Sequence, residues 1–106
     1  MPKYLFHGSY TTEGLKGLLK DGGSKRREVV DRLIKGMGGT LEAFYYAFGD
    51  DDIYAIVDLP DHVSTTAVSL AVNSAGTFKG KTAVLMTPEE VDQATKKTVE
   101  YSPPGQ

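Results

Sequence analysis

Three consecutive carboxylates, Asp50-Asp51-Asp52, follow Gly49 and lie between an aromatic run, Phe44-Tyr45-Tyr46-Ala47-Phe48, and a β-branched one, Ile53-Tyr54-Ala55-Ile56-Val57. Carboxylate oxygens suit hard cations such as Mg²⁺ and Ca²⁺. Successive residues of a strand point to alternate faces, however, so three in a row do not converge without an irregular loop. No calcium-loop spacing accompanies them, and the expectation is a turn and no metal: Asp50 and Asp51 solvated, Asp52 accepting backbone hydrogen bonds. His7, in the middle of a strand-like segment, is the side chain best suited to acid, base or ligand work near neutral pH. Its bland alternative is a buried, hydrogen-bonded histidine. His62 falls in the first turn of a later helix and is expected to be exposed. Lys25-Arg26-Arg27 opens a helix, where cations oppose the macrodipole and call for something negative nearby. With Ser24 as N-cap behind Gly22-Gly23, that helix start could receive a phosphate or carboxylate; the alternative is a solvated basic patch with ion pairs. Phe44, Tyr46, Phe48 and Tyr54 could stack on a planar ligand, or pack at an interface between subunits.

The elements that must position these groups follow from periodicity and turn residues. Tyr4 to Tyr10 reads as a first strand, after which Leu15, Leu18 and Leu19 recur at helical spacing until Gly22-Gly23 interrupts them. A second helical piece carries Val29, Val30, Leu33, Ile34 and Met37 on one stripe. Thr40 to Phe48 and Ile53 to Leu59 form a hairpin. Asp61 caps a helix whose buried face is expected to be Val63, Ala67, Leu70 and Ala71. Thr77 to Met86 is a fourth strand, and Thr87-Pro88-Glu89-Glu90 is a capping box that starts a short C-terminal helix. Residues 101–106 read as a flexible tail behind a single domain over residues 1–100. The order gives an α+β, ferredoxin-like βαββαβ fold, an antiparallel four-stranded sheet with helices on one face. Apolar content on the other face then needs a partner to cover it.

Hairpin register decides what each face carries. A two-residue loop at Asp50-Asp51 places Phe44, Tyr46 and Phe48 beside Ala55 and Val57. A three-residue loop collects Leu41, Ala43, Ala47, Ile53, Ala55, Val57 and Leu59 on one face, and Glu42, Phe44, Tyr46, Phe48, Tyr54, Ile56 and Asp58 on the other. The second is preferred, because it separates an aliphatic face suited to helices from an aromatic one with polar tips.

Composition narrows the chemistry. With 106 residues, 40% apolar and 25% charged, the chain is one globular domain able to bury a modest core. The absence of Cys excludes disulfides, thiolate metal sites and a Cys nucleophile. A net charge of -2 supplies no basic face for nucleic acid. No stretch approaches a membrane span, and the start runs into a strand with no apolar leader, so the expectation is a cytoplasmic protein.

The strand ending in Tyr10-Thr11, Gly14-Leu15, Lys25-Arg26-Arg27, Met37-Gly38-Gly39 and the block from Gly49-x-x-Asp52 to Leu59-Pro60-Asp61 resemble the GYD domain family, up to about Val91. Gly49 and Asp52 match its motif, while the tyrosine position holds Asp51. The resemblance implies a homodimeric α+β barrel and no particular reaction, since the wider superfamily spans cofactor-free monooxygenases, isomerases and haem enzymes. The functional expectation is a dimeric module that binds a small aromatic or anionic metabolite, without cofactor, through Tyr46, Tyr54, Phe44, Ser24, Arg26 and Arg27. One alternative is a cofactor-free monooxygenase or isomerase for a phenolic or enolic substrate, with His7 or Asp58 as base. Another is a purely structural dimer.

Overall fold

A computed structural model describes residues 1–106. The elements run β1 (Lys3–Tyr10), α1 (Thr12–Asp21), α2 (Gly23–Gly36), β2 (Thr40–Tyr46), β3 (Ile53–Asp58), α3 (His62–Ser74), β4 (Phe78–Leu85) and α4 (Pro88–Thr95). The four strands make one antiparallel sheet in the order β2-β3-β1-β4, the ferredoxin-like arrangement.

Local chemistry sets each boundary. Thr11, Asp61 and Thr87 cap α1, α3 and α4 by accepting from the backbone N–H of Gly14, Ser64 and Glu90, and Thr87 with Glu90 completes a reciprocal capping box. Between α1 and α2 the chain turns at Gly22, whose φ of +84° lies in the region that side chains with a Cβ avoid. Gly22, not Ser24, is therefore the N-cap of α2, and it offers no side-chain bond. The negative group that the basic first turn calls for is Asp21, 3.9 Å from Lys25 and 3.7 Å from Arg26.

The strand register divides the sheet into two sets of rows. Toward the helices lie Leu41–Val57–Tyr4–Val84, Phe44–Ala55–Phe6–Thr82 and Tyr46–Ile53–Gly8–Gly80. The core gathers on this side, where Tyr4, Ile34, Val57, Leu59 and Val68 are buried against one another. On the open face lie Thr40–Asp58–Lys3–Leu85, then Ala43–Ile56–Leu5–Ala83, then Tyr45–Tyr54–His7–Lys81.

The preferred hairpin register is thereby corrected. Phe44 and Tyr46 face the helices, Tyr54 faces away, and Phe48 is fully exposed in the connection. Two features change the pattern. The β2–β3 connection takes six residues, 47–52, with Ala47 N–H donating to Asp52 O at 2.8 Å. A bulge at Glu42 also shifts the alternation, so Leu41 and Phe44 share the helix side. The buried face of α3 differs as well: Thr65 and Val68 are buried, with Val72 packed against the core, while Val63 and Leu70 are exposed. That stripe keeps the helical period and is rotated relative to the expected one, because the hydroxyl of Thr65 is satisfied by Asp61 O at 2.9 Å and can be buried.

Candidate functional site

Two sites lie on opposite sides of the sheet. The first is a cavity of about 360 Å³ between the helix-facing side and helices α2 and α3. Phe6, Phe44, Ile53, Ala55 and Phe78 form its sheet wall, and Val29, Val30, Leu33, Val68 and Val72 its helical wall. Gly8 and Gly80 are direct partners in the β1–β4 ladder on this side. Gly80 lines the cavity as bare backbone, and a Cβ on Gly8 would collide with Lys79 O, so the two strands meet closely there.

Polar groups in the lining are few. Arg26 and Tyr10 line it, and Tyr46 stands next to Phe44, ring centroids 5.2 Å apart. The Tyr46 hydroxyl donates to Gly23 O at 3.1 Å. Burial pushes the Tyr10 hydroxyl up to about 12; Tyr46 adds to the rise and the Arg26 guanidinium opposes it. An apolar hollow with one cation and one phenol in its lining, and a second phenol beside it, is a small-molecule site by shape and chemistry.

The second site is on the open face. His7 Nδ1 is 2.7 Å from Asp51 Oδ2, and Lys81 Nζ is 3.7 Å from Asp51 Oδ1. The His7 ring lies parallel to that of Tyr54, centroids 6.0 Å apart. Asp51 is thus not the solvated turn residue expected of it: it is only 7% exposed, between exposed neighbours on its N-terminal side. The hydrogen bond to His7, then Lys81, holds its carboxyl below the usual carboxylate range against the opposing effect of burial. The loop that delivers it is tied to β1 by Asp52 N–H to Gly8 O at 2.8 Å, Tyr10 N–H to Asp52 Oδ2 at 2.9 Å and Ser9 Oγ to Asp50 O at 2.9 Å. The three carboxylates diverge accordingly.

The remaining expected residues are dispersed. Asp58 is at the far end of the open face, where Lys3 Nζ donates to it at 3.0 Å and to Glu42 at 2.8 Å. This engagement holds the Lys3 ammonium above its ordinary value, Glu42 contributing most. Arg27 faces a separate shallow groove with Glu28, Asp31 and Glu42, and Ser24 is exposed in the first turn of α2. His62 is exposed overall, yet its Nδ1 is hydrogen-bonded to the hydroxyl of the buried Tyr4 at 2.6 Å. Sequence reasoning missed Tyr10, Lys81 and the engagement of Asp51. Strand alternation alone puts Tyr10 with Phe6 and pairs Lys81 with His7 once the ladder is known.

The fold and sites define a ferredoxin-like α+β protein with a helix-side cavity and a polar row on its open sheet face. A family model, the GYD domain, matches residues 4–95, and the chain belongs to the GYD domain family. No curated protein and no solved structure matches the chain significantly. No helix is long and apolar enough to cross a membrane.

Proposed function

We propose that this protein is a binding module for a small aromatic molecule carrying one anionic group, held in the cavity between sheet and helices. The cavity itself carries the reading. Its volume of about 360 Å³ falls within the range of small-molecule sites, and its walls are aliphatic and aromatic. Arg26 supplies the complement to an anion, while Tyr10, neutral at physiological pH, can donate its hydroxyl to the same group. Among the residues expected at the site, Phe44 and Arg26 line the cavity and Tyr46 adjoins Phe44; Tyr54 faces the other way.

In the same reading the molecule works as a homodimer joined along the apolar middle row of the open sheet face, with the polar row Tyr45–Tyr54–His7–Lys81 outside the contact. Ala43, Ile56, Leu5 and Ala83 form a small apolar row that the chain's own helices do not cover. Only 11 of 106 residues are buried, so a second copy adds apolar burial that the single chain lacks.

The binding test is isothermal titration with benzoate, 4-hydroxybenzoate and phenylacetate, repeated on Arg26→Gln and Val68→Trp. Saturable binding is expected, weakened about tenfold by loss of the charge-assisted bond in Arg26→Gln and abolished when Trp fills the cavity of folded Val68→Trp. Absence of heat with all three acids, or equal binding by Val68→Trp, overturns the reading.

A further inference from the structure

The row Tyr45–Tyr54–His7–Lys81 draws one residue from each strand, and loop 47–52 brings Asp51 to its His7–Lys81 end. A buried carboxylate must be compensated, and here His7 and Lys81 do so. An ionised carboxylate is only an acceptor, so the hydrogen in the 2.7 Å contact belongs to Nδ1 of neutral His7. The lone pair is then on Nε2. Nε2 has no hydrogen-bond partner within the chain, and no buried polar side-chain atom is left unpartnered, so Nε2 opens to solvent. The imidazole carries a fixed tautomer, with its basic nitrogen free.

The surroundings select the chemistry. The nearest hydroxyl along β1 on this face, Ser9 Oγ, is turned to Asp50 O, so no nucleophile is set against the imidazole. A cation stands beside it instead, since Lys81 is the direct β4 partner of His7. A base next to an ammonium suits a reaction in which a proton leaves carbon while charge develops on oxygen. The phenols of Tyr54 and Tyr45 extend the row as an aromatic surface on the other side.

We propose that Asp51 and His7 form a general-base dyad that removes an acidic C–H proton from a planar carbonyl compound lying on the open face. Nε2 takes the proton from the carbon next to the carbonyl. The C–H electron pair becomes the C=C bond, and the carbonyl π pair moves onto oxygen as an enolate beside the Lys81 ammonium. The imidazolium then returns its proton to carbon or to the enolate oxygen, so the sequence is redox-neutral and needs no co-reactant. His7 is the catalytic residue and Asp51 the positioning one. The dyad occupies the opposite side of the sheet from the cavity and does not depend on a ligand there.

The test follows deuterium incorporation at the methylene of phenylpyruvate in D₂O by NMR, with the full chain against free imidazole at equal concentration. An acceleration of at least about a hundredfold is expected, the lower range of positioned acid–base catalysis. His7→Gln returns the rate to background. Asp51→Asn slows it about tenfold and, in nitrogen-15 spectra, loses the preference for the His7 proton on Nδ1; a carboxylate with a purely structural role leaves that tautomer in place. Nitrogen-15 NMR of the histidines reads the tautomer without any substrate and should show the neutral His7 proton on Nδ1. A rate equal to that of imidazole, a fully active His7→Gln, or the proton on Nε2 each overturns the proposal.

Discussion

Tyr10 shows how one side chain reports on the cavity. Its hydroxyl goes from an ordinary value of 10.0 to about 12 because the neutral form is favoured in a partly buried place. A raised value in the folded state means that folding favours the protonated phenol. The associated stability is complete below pH 10 and is lost as pH rises toward 12. Absorbance titration near 295 nm should therefore show Tyr10 ionising near 12, and Tyr10→Phe should remove that step and flatten the alkaline loss of stability over the same window. An aromatic carboxylate bound beside Tyr10 should delay its ionisation further. At this scale the sequence is readable only in part. His7 and Arg26 stand out by type and position, whereas Asp51 does not, since its burial depends on a six-residue connection folding back onto β1.

At the scale of elements, Gly22 is the joint that lets α1 end and α2 begin without a connecting loop. Its positive φ makes Gly22→Ala costly by roughly 1–3 kcal/mol, read as a lower urea midpoint with an unchanged slope. Because α2 carries both Arg26 and part of the helical wall of the cavity, the same variant should weaken binding of aromatic acids. The order of strands and helices could be read from periodicity, glycine pairs and caps, and the structure shows that order. Face assignment in the hairpin could not, because a single extra residue at Glu42 reverses the alternation on one side of it. The buried stripe of α3 escaped for a related reason: a satisfied Thr65 is buried where apolar content alone favours Val63 and Leu70.

For the whole molecule, the radius of gyration is 17.0 Å, against roughly 13 Å for a compact chain of about this length. Every residue from Met86 onward is exposed, Val91, Val99 and Tyr101 among them. The apolar middle row of the open face remains uncovered by the chain's own helices. If two copies join there, sedimentation equilibrium should give a dimer mass for the wild type and a monomer mass for Ile56→Lys, whose charge would be buried without a partner; a wild-type monomer at micromolar concentration rules that assembly out. The sheet is one layer thick, and neighbours along β1 serve different compartments: Phe6 lines the cavity and His7 forms the dyad. Insertion or deletion of a single residue in the first half of β1 would carry imidazole into the apolar hollow and phenylalanine out to the polar row, undoing both sites in one event. A change of length in the exposed stretch after Leu85 shifts no strand and would leave both sites in place.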